Sequence, residues 1–268
     1  MSKIKNKFLE LRSKNQKALI AYVVAGYPNE SGTLDAVRGL IKGGADIIEL
    51  GLPFSDPLAD GPVIQNASHL ALKKGINLAK FIGLVKKIRK ETELPLVLMT
   101  YSNLLYRQGY EKFIALAKKA GIDGFILPDM PLEEAKEYLK AIHKNKADAI
   151  FLASPNTTTE RIRKIIKASS GFLYLVSVYG TTGKQQKIQQ YTIDAIKNAK
   201  KVAGKKIPIG VGFGVSNQKQ AKFIIKCGAD AVIVGSAFLR LIDSVPQKKI
   251  ESSVASFTRN LKAATKSQ

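Results

Sequence analysis

Eight short apolar runs recur along the chain, at residues 18–26, 46–51, 94–100, 123–128, 148–154, 172–178, 207–214 and 230–236. They read ALIAYVVAG, DIIELG, LPLVLMT, DGFILP, DAIFLAS, FLYLVSV, IPIGVGFG and DAVIVGS. Between them the hydrophobic period changes to 3.6, as in EKFIALAKKAG and QAKFIIKCG, which is the pattern of a helix with one apolar face. Inside the runs there is little polar alternation. A strand that is apolar almost continuously is covered on both faces, which antiparallel sheets with a wet side do not require. Strands of that kind alternating with amphipathic helices predict a parallel sheet with helical crossovers.

A weak internal repeat gives the same reading. GGADIIELG, AGIDGFILP and CGADAVIVG each place a glycine at a helix end, then an aspartate, then a buried strand. Gly44, Gly121 and Gly228 suit the left-handed position that stops a helix. Asp46, Asp123 and Asp230 then begin strands and are expected to hold turns. The fold class predicted is α/β, a single-domain (β/α)8 TIM barrel over residues 1–268, with an extra N-terminal helix; about 250 residues is a common length for one. A doubly wound open sheet is the alternative, although it usually has fewer strands and a nucleotide fingerprint.

Composition removes several function classes. Forty-five per cent of residues are hydrophobic and 24% charged, which is ordinary for a globular protein. The single cysteine, Cys227, allows no internal disulfide, and the two histidines, His69 and His143, lack ligand spacing, so no metal site is expected. No apolar run approaches the ~20 residues of a membrane span. The N-terminus MSKIKNKFLELRSKNQK carries charges throughout and no apolar centre, so no secretory signal is read and a cytoplasmic protein is expected. The formal net charge is +22, but the lysines are spread over nearly every predicted helix, without the aromatic interleaving of nucleic-acid modules. A solvated surface is the simpler reading, with steering of an anionic substrate as a second use.

Against that charge, the segment IIELGLPFSDPLADGPVIQ is an exception: Glu49, Asp56 and Asp60 lie within twelve residues, with no lysine or arginine among them. In a parallel barrel, reactive groups sit at the C-terminal strand ends and in the loops beyond. Glu49 falls within the second run near its end, and none of the eight runs has an internal Lys or Arg to pair with it. Burial raises a carboxyl pKa, which suits proton transfer near neutrality. Asp60 follows in the loop at the same mouth. Both Asp56 and Asp60 also suit turns in their own right.

Near the other end, GVGFGVSN closes the seventh run and IVGSAF the eighth, each leading into a helix. Glycine-rich backbone at a helix start is suited to an anion, and barrels often bind phosphate after strands seven and eight. Gly212, Gly214, Gly235 and Ser236 are the candidate donors. YGTTGKQQ, after the sixth run, is a candidate lid over the same face.

These residues carry a resemblance. LGLPFSDPLADGPVIQ closely resembles the signature segment of the tryptophan synthase α subunit, and LPDMPLEE, LYLVSVYGTTG, GVGFGVS and VIVGSAF follow in the family's order. The resemblance implies a carbon–carbon lyase that splits indole-3-glycerol phosphate into indole and glyceraldehyde 3-phosphate. It implies Glu49 as acid and base, and Asp60 as acceptor of the indole N–H. Tyr22, Leu127 and Tyr174 would supply apolar walls. Gly183, Phe213, Gly214, Gly235 and Ser236 would hold the phosphate, with Thr182 in the sixth loop. Asp56 and Asp129 would serve loop closure and partner contact. The partner implied is a β subunit carrying pyridoxal phosphate, in an αββα assembly, with no cofactor in this chain and no nucleic acid or membrane partner. The sixth loop departs from the usual pattern at Thr181, commonly Val or Ile. A free-standing lyase and a non-catalytic binding subunit are the other readings.

Overall fold

The computed structural model describes residues 1–176, 190–212 and 214–266. Nine parallel strands form its sheet: β1 (Ala18–Val24), β2 (Ile47–Gly51), β3 (Leu96–Met99), β4 (Gly124–Ile126), β5 (Asp148–Ile150), β6 (Leu152–Ala153), β7 (Leu173–Val176), β8 (Ile209–Gly212) and β9 (Ala231–Val234). Their order is β5-β4-β3-β2-β1-β9-β8-β7-β6. Because β5 and β6 are separated only by Phe151, the two ends of that order meet, and the sheet is a nearly closed barrel. All eight predicted runs contain strand. The fifth run is divided in two, a difference from the reading above with a local cause. Its first half pairs with β4 (Gly124↔Asp148) and its second with β7 (Leu152↔Tyr174). The β4 ladder ends at Ile126, two residues before Pro128, which has no N–H to extend it. At the break, the Phe151 carbonyl accepts from the Tyr174 amide at 3.1 Å.

Helices cover the outside for the reasons that the sequence pattern gives. In Leu78–Glu91 the buried side chains are Phe81, Ile82, Leu84, Val85 and Ile88, one face of a 3.6-residue period. The helix begins where Asn77 accepts from the Lys80 amide at 3.0 Å.

Inside the barrel, Ile20, Ile47, Val97, Ile126, Ile150, Phe172 and Ile233 form a second apolar cluster. The predicted N-terminal helix is present as Lys3–Ser13, and its Ile4, Phe8 and Leu11 join this cluster. That helix therefore plugs the end of the barrel where the strands begin, leaving the other end as the mouth.

The repeated aspartates tie strand starts together. Asp46 accepts from the Leu19 amide at 2.7 Å, Asp123 from Leu96 at 3.0 Å, and Asp230 from Ile209 at 3.0 Å. In each case the carboxylate starting one strand caps an amide of the neighbouring strand. Cations complete the three sites: Lys262 on Asp46 at 2.6 Å, Arg89 on Asp123 at 2.9 Å, and Lys200 on Asp230 at 2.5 Å. Gly44, Gly121 and Gly228 precede them with φ of 88°, 122° and 109°, a backbone that side chains other than glycine rarely adopt.

Candidate active site

Pleat alternation decides which side chains reach the barrel axis. Tyr22 on β1 and Glu49 on β2 are register partners, and Ile20 and Ile47, two residues before each, lie in the interior cluster. Glu49 therefore points into the barrel, one step above the apolar plug. It is 1% exposed, and neither carboxylate oxygen has a hydrogen-bond partner among the described residues. An ionised carboxylate is costly there, and burial, followed by the charge of Asp60, pushes its pKa up to about 8.

Asp60 lies in the loop between β2 and the helix Pro62–Lys73. Burial raises its carboxyl to about 6, opposed by a hydrogen bond from Tyr101, whose hydroxyl donates to Asp60 Oδ2 at 3.1 Å. The same hydroxyl accepts from the Ala59 amide at 3.0 Å, and Phe54 stacks on the Tyr101 ring with centroids 5.3 Å apart. Tyr101 thus holds both the carboxylate and the loop backbone before it. Environment sets the two acids apart, Glu49 pushed up to about 8 and Asp60 to about 6, an order that suits Glu49 to give a proton while Asp60 carries charge.

Tyr22 and Tyr174 stand beside them. Both phenols are raised well above their ordinary value, first by burial and then by the charges of Glu49 and Asp60. Two glycines make room for them. A Cβ on Gly51 would lie 2.2 Å from the Tyr22 hydroxyl oxygen, and one on Gly212 would lie 2.7 Å from that of Tyr174. Leu127 is buried in the larger apolar cluster, which also contains Tyr22.

At the end of β9 the helix Ser236–Ser244 starts from Gly235 with no side-chain cap; the Phe238 amide donates to the Gly235 carbonyl at 2.9 Å, which leaves the amides of Ser236 and Ala237 for an anion. Gly214 is exposed, with a φ of 48° and open space where a side chain would be. The helix after β8 differs from the reading above. Gln218–Lys226 is closed by its own residues: Asn217 accepts from the Gln220 amide at 2.9 Å, and Gln220 accepts from the Ser216 amide at 2.9 Å. On that side the free backbone is the glycine turn and not the helix start. Thr182, Gly183 and Phe213 lie outside the described residues.

The two remaining acids are not drawn into this centre. Asp56 is exposed and accepts from the hydroxyl of Ser55 at 2.6 Å. Asp129 accepts from the amide and hydroxyl of Ser102 at 2.9 and 2.6 Å, capping the helix Ser102–Gln108. Among the described residues there is no group of three or more His, Cys, Asp or Glu side chains able to hold a metal ion.

A family model described as tryptophan synthase alpha chain matches residues 8–266. The chain belongs to the tryptophan synthase alpha chain family. The tryptophan synthase alpha chain of Methanosarcina acetivorans is 48% identical over 241 residues, covering 90% of this chain and 86% of that one. That of Methanosarcina barkeri is 44% identical over 264 residues, covering 98% and 97%. Among solved structures, the tryptophan synthase A-subunit of Pyrococcus furiosus superposes with a TM-score of 0.85 at 38% identity, covering 92% of this chain and 98% of that one. A Mycobacterium tuberculosis tryptophan synthase structure gives 0.90 at 34% identity, covering 100% and 99%. Tyr101, which holds Asp60, is not among the residues that the sequence singles out. It stands in LMTYSN with no motif around it, and only its place after β3, at a strand's C-terminal end, could have drawn attention to it.

Proposed function

We propose that this chain cleaves indole-3-glycerol phosphate to indole and glyceraldehyde 3-phosphate. The observation that carries the proposal is Glu49, a carboxyl buried in the barrel mouth with neither oxygen partnered among the described residues, its pKa pushed up by burial and by the nearby charge of Asp60.

Cleavage of the bond between indole C3 and the glycerol carbon needs three proton-related events, and the two acids supply them. Protonated Glu49 delivers its proton to C3, leaving positive charge on the ring nitrogen. Asp60 accepts a hydrogen bond from the ring N–H and stabilises that charge in a site sheltered from water. The Glu49 carboxylate then takes the proton of the hydroxyl on the departing carbon. As the aldehyde forms, the C–C bond breaks, and its electron pair returns to the ring and neutralises the nitrogen. Glu49 ends as it began, protonated.

The remaining residues bind and orient the substrate. Tyr22, Tyr174 and Leu127 offer walls for a flat ring. Gly214, Gly235 and Ser236, together with Gly183 and Phe213, hold the phosphate, and Thr182 belongs to the loop that closes over it. The catalytic unit is one barrel domain spanning residues 1–268.

The proposal extends to a partner. Leu58, 92% exposed in the Asp60 loop, and Tyr106, 74% exposed in the helix after β3, present apolar surface at the mouth side. Tryptophan synthase complexes are among the structural neighbours. We assign that face to a β subunit in an αββα tetramer, with pyridoxal phosphate in the partner, and assign Asp56 and Asp129 to loop closure and contact. We place the enzyme in the cytoplasm; no helix among the described residues is long and apolar enough to cross a membrane. Indole release from indole-3-glycerol phosphate, measured with and without a β subunit, tests the assignment. Slow release that rises sharply with the partner is expected. A rate that the partner leaves unchanged contradicts the subunit role.

A further inference from the structure

A cavity lies at the other end of the barrel, where the strands begin. It has a volume of about 1050 Å³ and runs between the N-terminal helix, the helix Thr159–Ala168 and the segment after the helix Gln190–Ala203. Part of its lining is apolar, from Phe8, Ile166, Val202 and Ile207. The charged lining is one-sided. Lys17 and Lys200 are paired with Asp230. Lys5, Arg12, Arg163, Lys167, Lys205 and Lys206 also face this cavity, and none has a carboxylate within ion-pair distance among the described residues.

A second observation is independent of that charge. Asp148, the first residue of β5, lines the same cavity, is 5% exposed, and has a buried Oδ2 with no hydrogen-bond partner among the described residues. A buried carboxylate oxygen without a donor is rare in a folded protein and invites one. The two features ask for different chemistry from one ligand: several negative charges at the rim and an N–H donor at depth. A nucleic-acid duplex meets the first requirement and not the second, because its phosphates cannot follow a concave site down to a residue so enclosed. The volume is that of a small-molecule site.

We propose that this cavity binds a nucleoside polyphosphate, with its phosphates on the Lys and Arg rim, its base against the Phe8 and Ile166 surface, and an N–H of the base donating to Asp148. Guanidinium and ammonium groups are the usual partners of phosphate oxygens. The site is separate from the lyase centre, so the proposal stands whether or not the chemistry assigned to the mouth is right.

Equilibrium dialysis of the full chain with ATP, inorganic tripolyphosphate and adenosine tests it. ATP is expected to bind at one site per chain, more tightly than tripolyphosphate, with adenosine weaker than either. The double variant Lys167→Glu, Lys205→Glu alters only exposed side chains. It is expected to weaken ATP about tenfold or more while leaving indole release unchanged. Asp148→Asn is expected to remove the preference for ATP over tripolyphosphate; its melting curve reports whether it folds, and the double variant carries the test if it does not. The proposal is overturned if ATP shows no saturable binding at millimolar concentration, or if the charge reversal leaves binding intact. It is equally overturned if tripolyphosphate binds as well as ATP, or if glyceraldehyde 3-phosphate displaces ATP, which would place the nucleotide at the mouth.

Discussion

The hydroxyl of Tyr101 donates to Asp60 Oδ2 at 3.1 Å and accepts the amide of Ala59 at 3.0 Å, so one side chain fixes both the carboxylate and the backbone before it. Because this bond favours the ionised form of Asp60, it holds that carboxyl below the value that burial alone would set. Tyr101→Phe is therefore expected to shift the acid limb of the activity profile to higher pH and to lower kcat several-fold. Stability should change by only about 1 kcal/mol, the usual net value of one hydrogen bond. An unchanged pH profile would reduce Tyr101 to a packing role.

The pH profile of the unmodified chain follows from the two acids. Asp60 must be ionised, which is favoured above about 6, and Glu49 must hold a proton, which is favoured below about 8. A bell-shaped kcat/KM with limbs near those values is expected. In Asp60→Asn the acid limb should disappear and the remaining activity should fall. A limb that survives that substitution belongs to another group.

Glu49 also links pH to stability. Its folded-state pKa of about 8 lies above its ordinary value of 4.5, so between the two the folded chain binds more protons than the unfolded one. Its contribution to stability is thus lost progressively as pH rises from about 4.5 to 8. Glu49→Gln removes the ionisation, and its advantage in melting temperature over the parent chain should grow from pH 5 to pH 8.5. A difference independent of pH would mean that Glu49 is ionised at neutrality.

Much of this was legible beforehand because it rests on local rules. The eight runs show parallel strands by their lack of polar alternation, and the Gly-x-Asp repeat marks helix ends and strand starts. Glu49 is conspicuous as an acid within an apolar strand. Other features depend on tertiary neighbours that no window of sequence contains. The break at Phe151 arises because two different strands use the two halves of one run. Asp148 looks like the other strand-starting aspartates, yet among the described residues no cation or amide meets its Oδ2. The closed start of the helix Gln218–Lys226 lies between these cases: Asn217 followed by Gln220 three residues on is a capping pattern, but the neighbouring glycines masked it.

The aspartates at strand starts should separate stability from chemistry. Asp123 has an 8% exposed side chain bonded to Arg89 and to the Leu96 amide. Asp123→Ala leaves a poorly solvated guanidinium and a free amide, and should cost about 3 kcal/mol by denaturant unfolding. Folded variant protein should retain the parent kcat/KM, since Asp123 lies at the end opposite the mouth. A loss of turnover without a loss of stability would contradict the structural role.

The decisive experiment is a side-by-side assay of indole release from indole-3-glycerol phosphate by the purified chain and by Glu49→Gln, with a β subunit present in both. Parent activity with a loss of about 10²–10⁴-fold or more in the variant is the expected result. Near-normal release by Glu49→Gln, or no indole from the parent chain, would contradict the assignment of Glu49 as the acid and base of this site.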